Sequence, residues 1–142
     1  MSNLSAFLKK NKKVRENVFY AASADFTDEN GTPIQWELRP VSTAENDAIR
    51  DSCMTDVKDK KGNVTRQKLN QNMYMGRLVC ASVVFPNLND AALQDSYGVK
   101  TPEALLKEML DNPGEYADLL AKVSEISGFE RSAAEEIEEA KN

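Results

Sequence analysis

The alternation of apolar and polar positions divides the chain into a strand-like first part and a helical remainder. NVFYAASADF, TDENGTP and IQWELRP read as strand, turn and strand. β-formers flank turn chemistry centred on Asn30-Gly31, which predicts a β-hairpin. In the second strand Ile34, Trp36 and Leu38 share one face and Gln35, Glu37 and Arg39 the other, and the first face is expected to be buried. Pro40 stops that strand. Ser42 with Glu45 has capping-box spacing, so a helix is predicted over about 43–54 with Ala48, Ile49 and Cys53 inward. Residues 55–69, TDVKDKKGNVTRQKL, are polar around one Gly-Asn and predict an exposed hairpin or loop. Residues 70–85 are the strongest core element. From Leu78 to Phe85 only Ser82 is polar, so this segment is predicted to be the buried central helix, with Gly76 allowing a close crossing.

The stretch VVFPNLNDAALQDSYGV, residues 83–99, then turns the chain. Phe85-Pro86 is expected to end the central helix, because proline removes a backbone donor. Asn87 or Asn89 can cap a short helix over about 90–96 carrying Leu93 and Tyr97, and Gly98 suits the position beyond its end. Thr101-Pro102-Glu103 and Asn112-Pro113-Gly114-Glu115 are two further helix starts. Leu105, Leu106, Met109 and Leu110 line the first of these helices, where Glu103 can pair with Lys107. Tyr116, Leu119, Leu120, Val123 and Ile126 line the second, which Gly128 closes. At the start of the chain, residues 3–11 predict a short helix with Leu4, Phe7 and Leu8 on one face.

These elements predict an α+β fold, a small N-terminal antiparallel hairpin or sheet followed by a mostly helical C-terminal part around the central helix. At 142 residues the chain can bury one sizeable core. The domain reading is a basic arm over 1–16, one globular domain over 17–129 and an acidic C-terminal tail over 130–142. The charge supports that division. KKNKKVR, residues 9–15, holds five cations, whereas ERSAAEEIEEAKN holds five glutamates against two basic side chains. No apolar run reaches membrane-spanning length, and the order of charges in MSNLSAFLKKNKK does not suit a signal peptide, so a cytoplasmic location is expected.

Candidate chemistry is scarce. The chain has no histidine, which removes the commonest general base and the commonest metal ligand. Cys53 and Cys80 stand apart without metal-site spacing and read as two small buried hydrophobes. Asp90 and Asp95 lie close in sequence, but capping and solvation explain them better than an acid pair. No Gly-rich phosphate loop is present. No catalytic, cofactor or metal residue is therefore assigned, and a carboxylate hydrolase is disfavoured. The alternative reading is a nucleic-acid-binding regulator that uses the basic arm. It is weakened by the lack of aromatics among the cations. A non-catalytic binding protein remains.

SNLSAFLKKNKKVRENVFYAAS, IQWELRPVSTAENDAIRDSC, ASVVFPNLNDAALQDSYGV and LLKEMLDNPGEYADLLAKVSEISGF resemble the XkdN-like tail assembly chaperones of tailed phages and of prophages in Gram-positive bacteria. The likeness spans roughly residues 2–142. It implies a helper absent from the finished virion that binds the tape measure protein, keeps it soluble and assists tail-tube subunits, with no cofactor and no catalytic motif. Helix-in-groove contacts would suit such a partner, and Leu88, Leu93 and Tyr97 are the expected contact residues. The resemblance also implies a possible second, longer product through ribosomal frameshifting. Ala140-Lys141-Asn142 permits the slippery heptamer A AAA AAC without requiring it.

Overall fold

The computed structural model describes residues 3–129. The chain runs through two 3-10 turns (Asn3–Phe7 and Lys9–Asn11), β1 (Val18–Tyr20), β2 (Trp36–Leu38), α1 (Thr43–Ser52), β3 (Met54–Lys58), β4 (Val64–Leu69), α2 (Gln71–Ser82), β5 (Val83–Phe85), α3 (Ala91–Ser96), α4 (Pro102–Met109) and α5 (Pro113–Ile126). The α+β expectation holds. A three-stranded antiparallel sheet of order β1-β2-β5 packs on the helices, and β3-β4 form a separate hairpin.

The hairpin of β1 and β2 forms as expected, with Val18, Phe19 and Tyr20 opposite Leu38, Glu37 and Trp36. Its strands are short, and Ile34 lies outside them and is exposed, unlike the buried Trp36 and Leu38. The connecting turn is built on Asp28, whose Oδ1 accepts from the Asn30 and Thr32 amides while Gly31 takes φ +81°. The β3-β4 turn repeats this device. Asp59 Oδ1 accepts from the Lys61 and Asn63 amides, and Gly62 takes φ +85°. Each aspartate holds two amides that the reversal leaves unpaired, and each glycine supplies the left-handed residue.

α1 has the full capping box. Ser42 Oγ accepts from the Glu45 amide and Glu45 Oε1 accepts from the Ser42 amide. Ala48 is exposed rather than inward, Ile49 packs on the core edge, and Cys53 is fully buried just after the helix. α2 is the central helix, touching α1, α4, α5 and β5. Gly76 is buried, but a Cβ there would meet Glu103 and Tyr116 at ordinary contact distance, so packing alone does not demand glycine.

The helix predicted through residue 85 stops at Ser82, and Val83-Val84-Phe85 pair with β2 instead. Two β-branched residues followed by a residue before proline favour extended backbone, and β2 has an edge to complete. Asp90, not Asn87 or Asn89, caps α3, accepting from the Leu93 amide; Asn87 Oδ1 takes the Asn89 amide one turn earlier. Thr101 and Asn112 cap α4 and α5 as expected, and Gly98 and Gly128 have positive φ after α3 and α5. Glu103 pairs with Arg77 across the helices at 3.8 Å rather than with Lys107. The predicted helix over 3–11 is two 3-10 turns in which Leu4, Phe7 and Leu8 are all exposed. It has no described core surface to pack on, and short α-helices need one. The acidic tail assigned to 130–142 lies outside the described residues.

The core sits where the sheet meets α2, α4 and α5. Trp36 and Leu38 pack with Leu78, Val79, Leu88, Leu105, Leu106, Leu119 and Val123. Burying a side chain of this kind contributes about 1.5–3 kcal/mol relative to leaving it exposed.

A candidate partner-binding face

Alternation in β2 sends Trp36 and Leu38 into the core and Glu37 outward. Whatever pairs with Glu37 on either side must share its outer face. Those residues are Phe19 on β1 and Phe85 on β5. Neighbouring strands lie about 4.8 Å apart, so the two rings flank the Glu37 carboxylate across the width of the sheet. A bulge adds to the patch. Leu38 pairs with Val83 and Glu37 with Phe85, which leaves Val84 as the extra residue. Phe19, Val84 and Phe85 are 61%, 42% and 53% exposed. Large apolar side chains gathered on one rigid face are more informative than scattered ones. Glu37 is held in place by Asn17, whose Nδ2 donates to Oε2 at 2.8 Å.

Both β1 and β5 are edge strands of this sheet among the described residues. Its framework is fastened by two sets of contacts. Arg39 chelates Glu45, with Nη1 to Oε1 at 2.9 Å and Nη2 to Oε2. This hydrogen-bonded pairing holds the Glu45 carboxyl at about 2, below the usual carboxylate range. Ser23 Oγ and the Ala24 amide both donate to the Glu115 carboxylate, at 2.8 and 2.9 Å, tying the loop after β1 to α5.

The residues expected to make the contact are placed differently. Leu88 is only 2% exposed and belongs to the core. Leu93 and Tyr97 are half-buried and pack against that core. Gln94 Nε2 donates to the Leu88 carbonyl at 2.8 Å, closing the corner between β5 and α3. The exposed apolar residues of the same stretch are Val84 and Phe85. The sequence pattern does not single out Phe19 and Phe85, because it puts Phe85 at the end of the central helix. Glu37 between two inward residues was the available signal, since its strand partners had to face outward too.

The ionisable groups behind the face are structural. Burial, then the nearby Glu103 charge, pushes the Cys80 thiol up to about 12, so it is protonated at neutral pH. Burial raises Tyr116 as well, with the neighbouring Cys80 second. Both cysteines are free thiols, Cys53 buried and Cys80 half-buried. Asp90 is engaged as a helix cap. Among the described residues no cluster of His, Cys, Asp or Glu is arranged to hold a metal, and no helix is long and apolar enough to cross a membrane.

A small α+β protein with an open apolar sheet face and structural ionisable groups has the character of an assembly or binding protein. The chain belongs to the phage XkdN-like tail assembly chaperone family, whose model matches residues 4–141. It is 30% identical over 140 residues to the phage-like element PBSX protein XkdN of Bacillus subtilis strain 168, covering 99% of this chain and 94% of that protein. It is 28% identical to the uncharacterized protein YqbN of the same strain, covering 99% and 93%. The crystal structure of YqbN superposes with a TM-score of 0.75 at 23% identity, over 91% of this chain and 98% of that one, a likeness of fold.

Proposed function

We propose that this chain is a non-catalytic tail assembly chaperone of a phage or prophage. It covers apolar stripes of a long helical tape measure protein in the host cytoplasm until tail-tube subunits assemble around it. Membership of the tail assembly chaperone family supports the general role. The observation that carries the choice of surface is the outer sheet face, where Phe19, Val84 and Phe85 stand exposed around Glu37. An amphipathic helix laid on that face would bury the rings, while Glu37 would meet a basic or hydrogen-bonding side chain at the edge of the stripe. Leu88 serves this reading through the core, and Leu93 and Tyr97, which are half-buried after β5, are further candidate contacts.

The test is co-expression with the long helical protein encoded nearby, followed by co-purification. The expected result is a partner that becomes soluble and travels with this chain. A partner that stays insoluble and unbound, with this chain and with any longer frameshifted product, overturns the proposal.

A further inference from the structure

A second surface adjoins the sheet face at Asn17, which lines it and also holds Glu37. The arm before β1 runs beside the start of α1 and leaves a groove of about 670 Å³. Lys9, Lys12, Lys13 and Arg15 line it together with Pro40 and Ser127. No acidic side chain lines it among the described residues. Arg39 also reaches it but is already neutralised by Glu45. The other four cations make no ion pair among the described residues. Gathering four like charges without a counter-charge costs free energy and creates a field that attracts an anion.

We propose that the acidic segment 130–142 of this same chain occupies the groove. Three features select that occupant. The first is proximity. Ser127 Oγ accepts from the Val41 amide at 3.0 Å, and a Cβ on Gly128 would stand 3.5 Å from the Arg15 guanidinium, so the end of α5 is fastened at the lip. Glu130 follows Ser127 by three residues, at most about 11 Å of chain. The second is charge. The segment carries Glu130, Glu135, Glu136, Glu138 and Glu139 against Arg131 and Lys141. The third is length. As a helix the segment would span about 20 Å, and extended about 45 Å, against at most about 25 Å for residues 9–15 fully extended. In the groove its one large apolar residue, Ile137, would meet Val14 and Pro40 as apolar counterparts.

Tethering makes the contact intramolecular, with an effective concentration in the millimolar range. Individually weak, solvent-exposed pairs then suffice, and their sum falls with salt. Docking would screen the arm's cations from polyanions and give the arm an ordered position beside α1.

The experiment uses the full chain with Ala140→Cys, spin-labelled at neutral pH, where the protonated Cys80 and the buried Cys53 react slowly. Amide signals are read by nuclear magnetic resonance with the labelled chain diluted into unlabelled, isotopically silent protein. Broadening at Lys12, Lys13, Arg15, Ser42 and Thr43 is expected at low salt. It should fall at least about threefold near 0.5 M salt, where the Debye length is only a few ångströms. The same loss is expected in two variants, one with the four glutamates 135, 136, 138 and 139 changed to glutamine and one with Lys12→Glu and Lys13→Glu. Absent broadening at those amides overturns the proposal, as does broadening that ignores both salt and charge. Broadening that disappears on dilution shows that a second copy fills the groove and overturns it equally. None of these outcomes depends on the tape measure protein.

Discussion

Ser82 and Arg39 hold each other through two hydrogen bonds. The Ser82 hydroxyl donates to the Arg39 carbonyl at 2.7 Å, and the Arg39 amide donates to the Ser82 carbonyl at 2.8 Å. Ser82 is the last residue of α2 and is fully buried, while Arg39 follows β2. The pair thus marks the point where the central helix becomes a strand of the sheet. Ser82→Ala keeps the backbone bond but removes the hydroxyl donor from a part-buried carbonyl. The expected loss is about 1–2 kcal/mol in urea unfolding. A variant as stable as the parent would mean that water replaces the hydroxyl and that the strand switch does not depend on it.

The Arg39–Glu45 pair predicts a particular pH dependence. Glu45 titrates at about 2 in the folded chain, against an ordinary value of 4.5. A depressed folded value means that the unfolded chain binds the proton more tightly. The pair's contribution is therefore complete above about pH 4.5 and is lost as pH falls through about 2. Both side chains remain more than a third exposed, so screening limits the contribution to about 1 kcal/mol. Glu45→Gln should reduce stability at pH 7 by that order, and parent and variant should converge as pH approaches 2. Glutamine still closes the capping box, so a constant difference across the whole range would mean that the charged Arg39–Glu45 pairing does not set the pH dependence.

Much of the fold was legible because local chemistry and burial agreed. Ser42 with Glu45, Thr101-Pro102 and Asn112-Pro113 each state a helix start, and Leu105, Leu106, Leu119 and Val123 follow at core spacing. The failure at residues 83–85 has a physical cause. A short apolar run reads equally as buried helix or as strand, and the decision here rests on β2, a neighbour 45 residues earlier. Phe85 was placed on a helix, so its alignment with Phe19 through Glu37 was invisible. The resemblance puts Leu88 among the expected contacts, yet the capping residues around it fix the path of a corner that buries its side chain.

That placement separates Leu88 from its neighbours in a measurable way. Leu88→Ala removes a side chain from the packed core and is expected to destabilise by about 2–5 kcal/mol. Any loss of partner binding should then follow the fraction unfolded. Leu93→Ala and Tyr97→Ala remove half-buried side chains and should cost less. If either abolishes binding while leaving the thermal midpoint nearly unchanged, the rim of the corner belongs to the contact surface. If Leu88→Ala does so in a fully folded protein, the assignment of Leu88 to the core is wrong.

Phe19 and Phe85 provide the sharpest test of the sheet face, because both are more than half exposed. Phe19→Thr retains a β-forming residue on the strand and removes an aromatic ring from the surface. Phe85→Thr does the same on the opposite edge. Stability should change by no more than about 1 kcal/mol for each. Binding to a helical partner should weaken about tenfold or more for the double variant, since buried aromatics carry a disproportionate share of interface energy. Val64→Thr serves as the control. Val64 is 54% exposed at the start of β4, in the separate hairpin, and its loss should leave binding unaltered. Titration of purified variants against a soluble tape measure fragment measures both quantities. Equal affinity for the parent and the Phe19→Thr/Phe85→Thr variant would remove the sheet face as the docking surface. The exposed Leu4 and Phe7 of the arm would then be the next apolar positions to substitute.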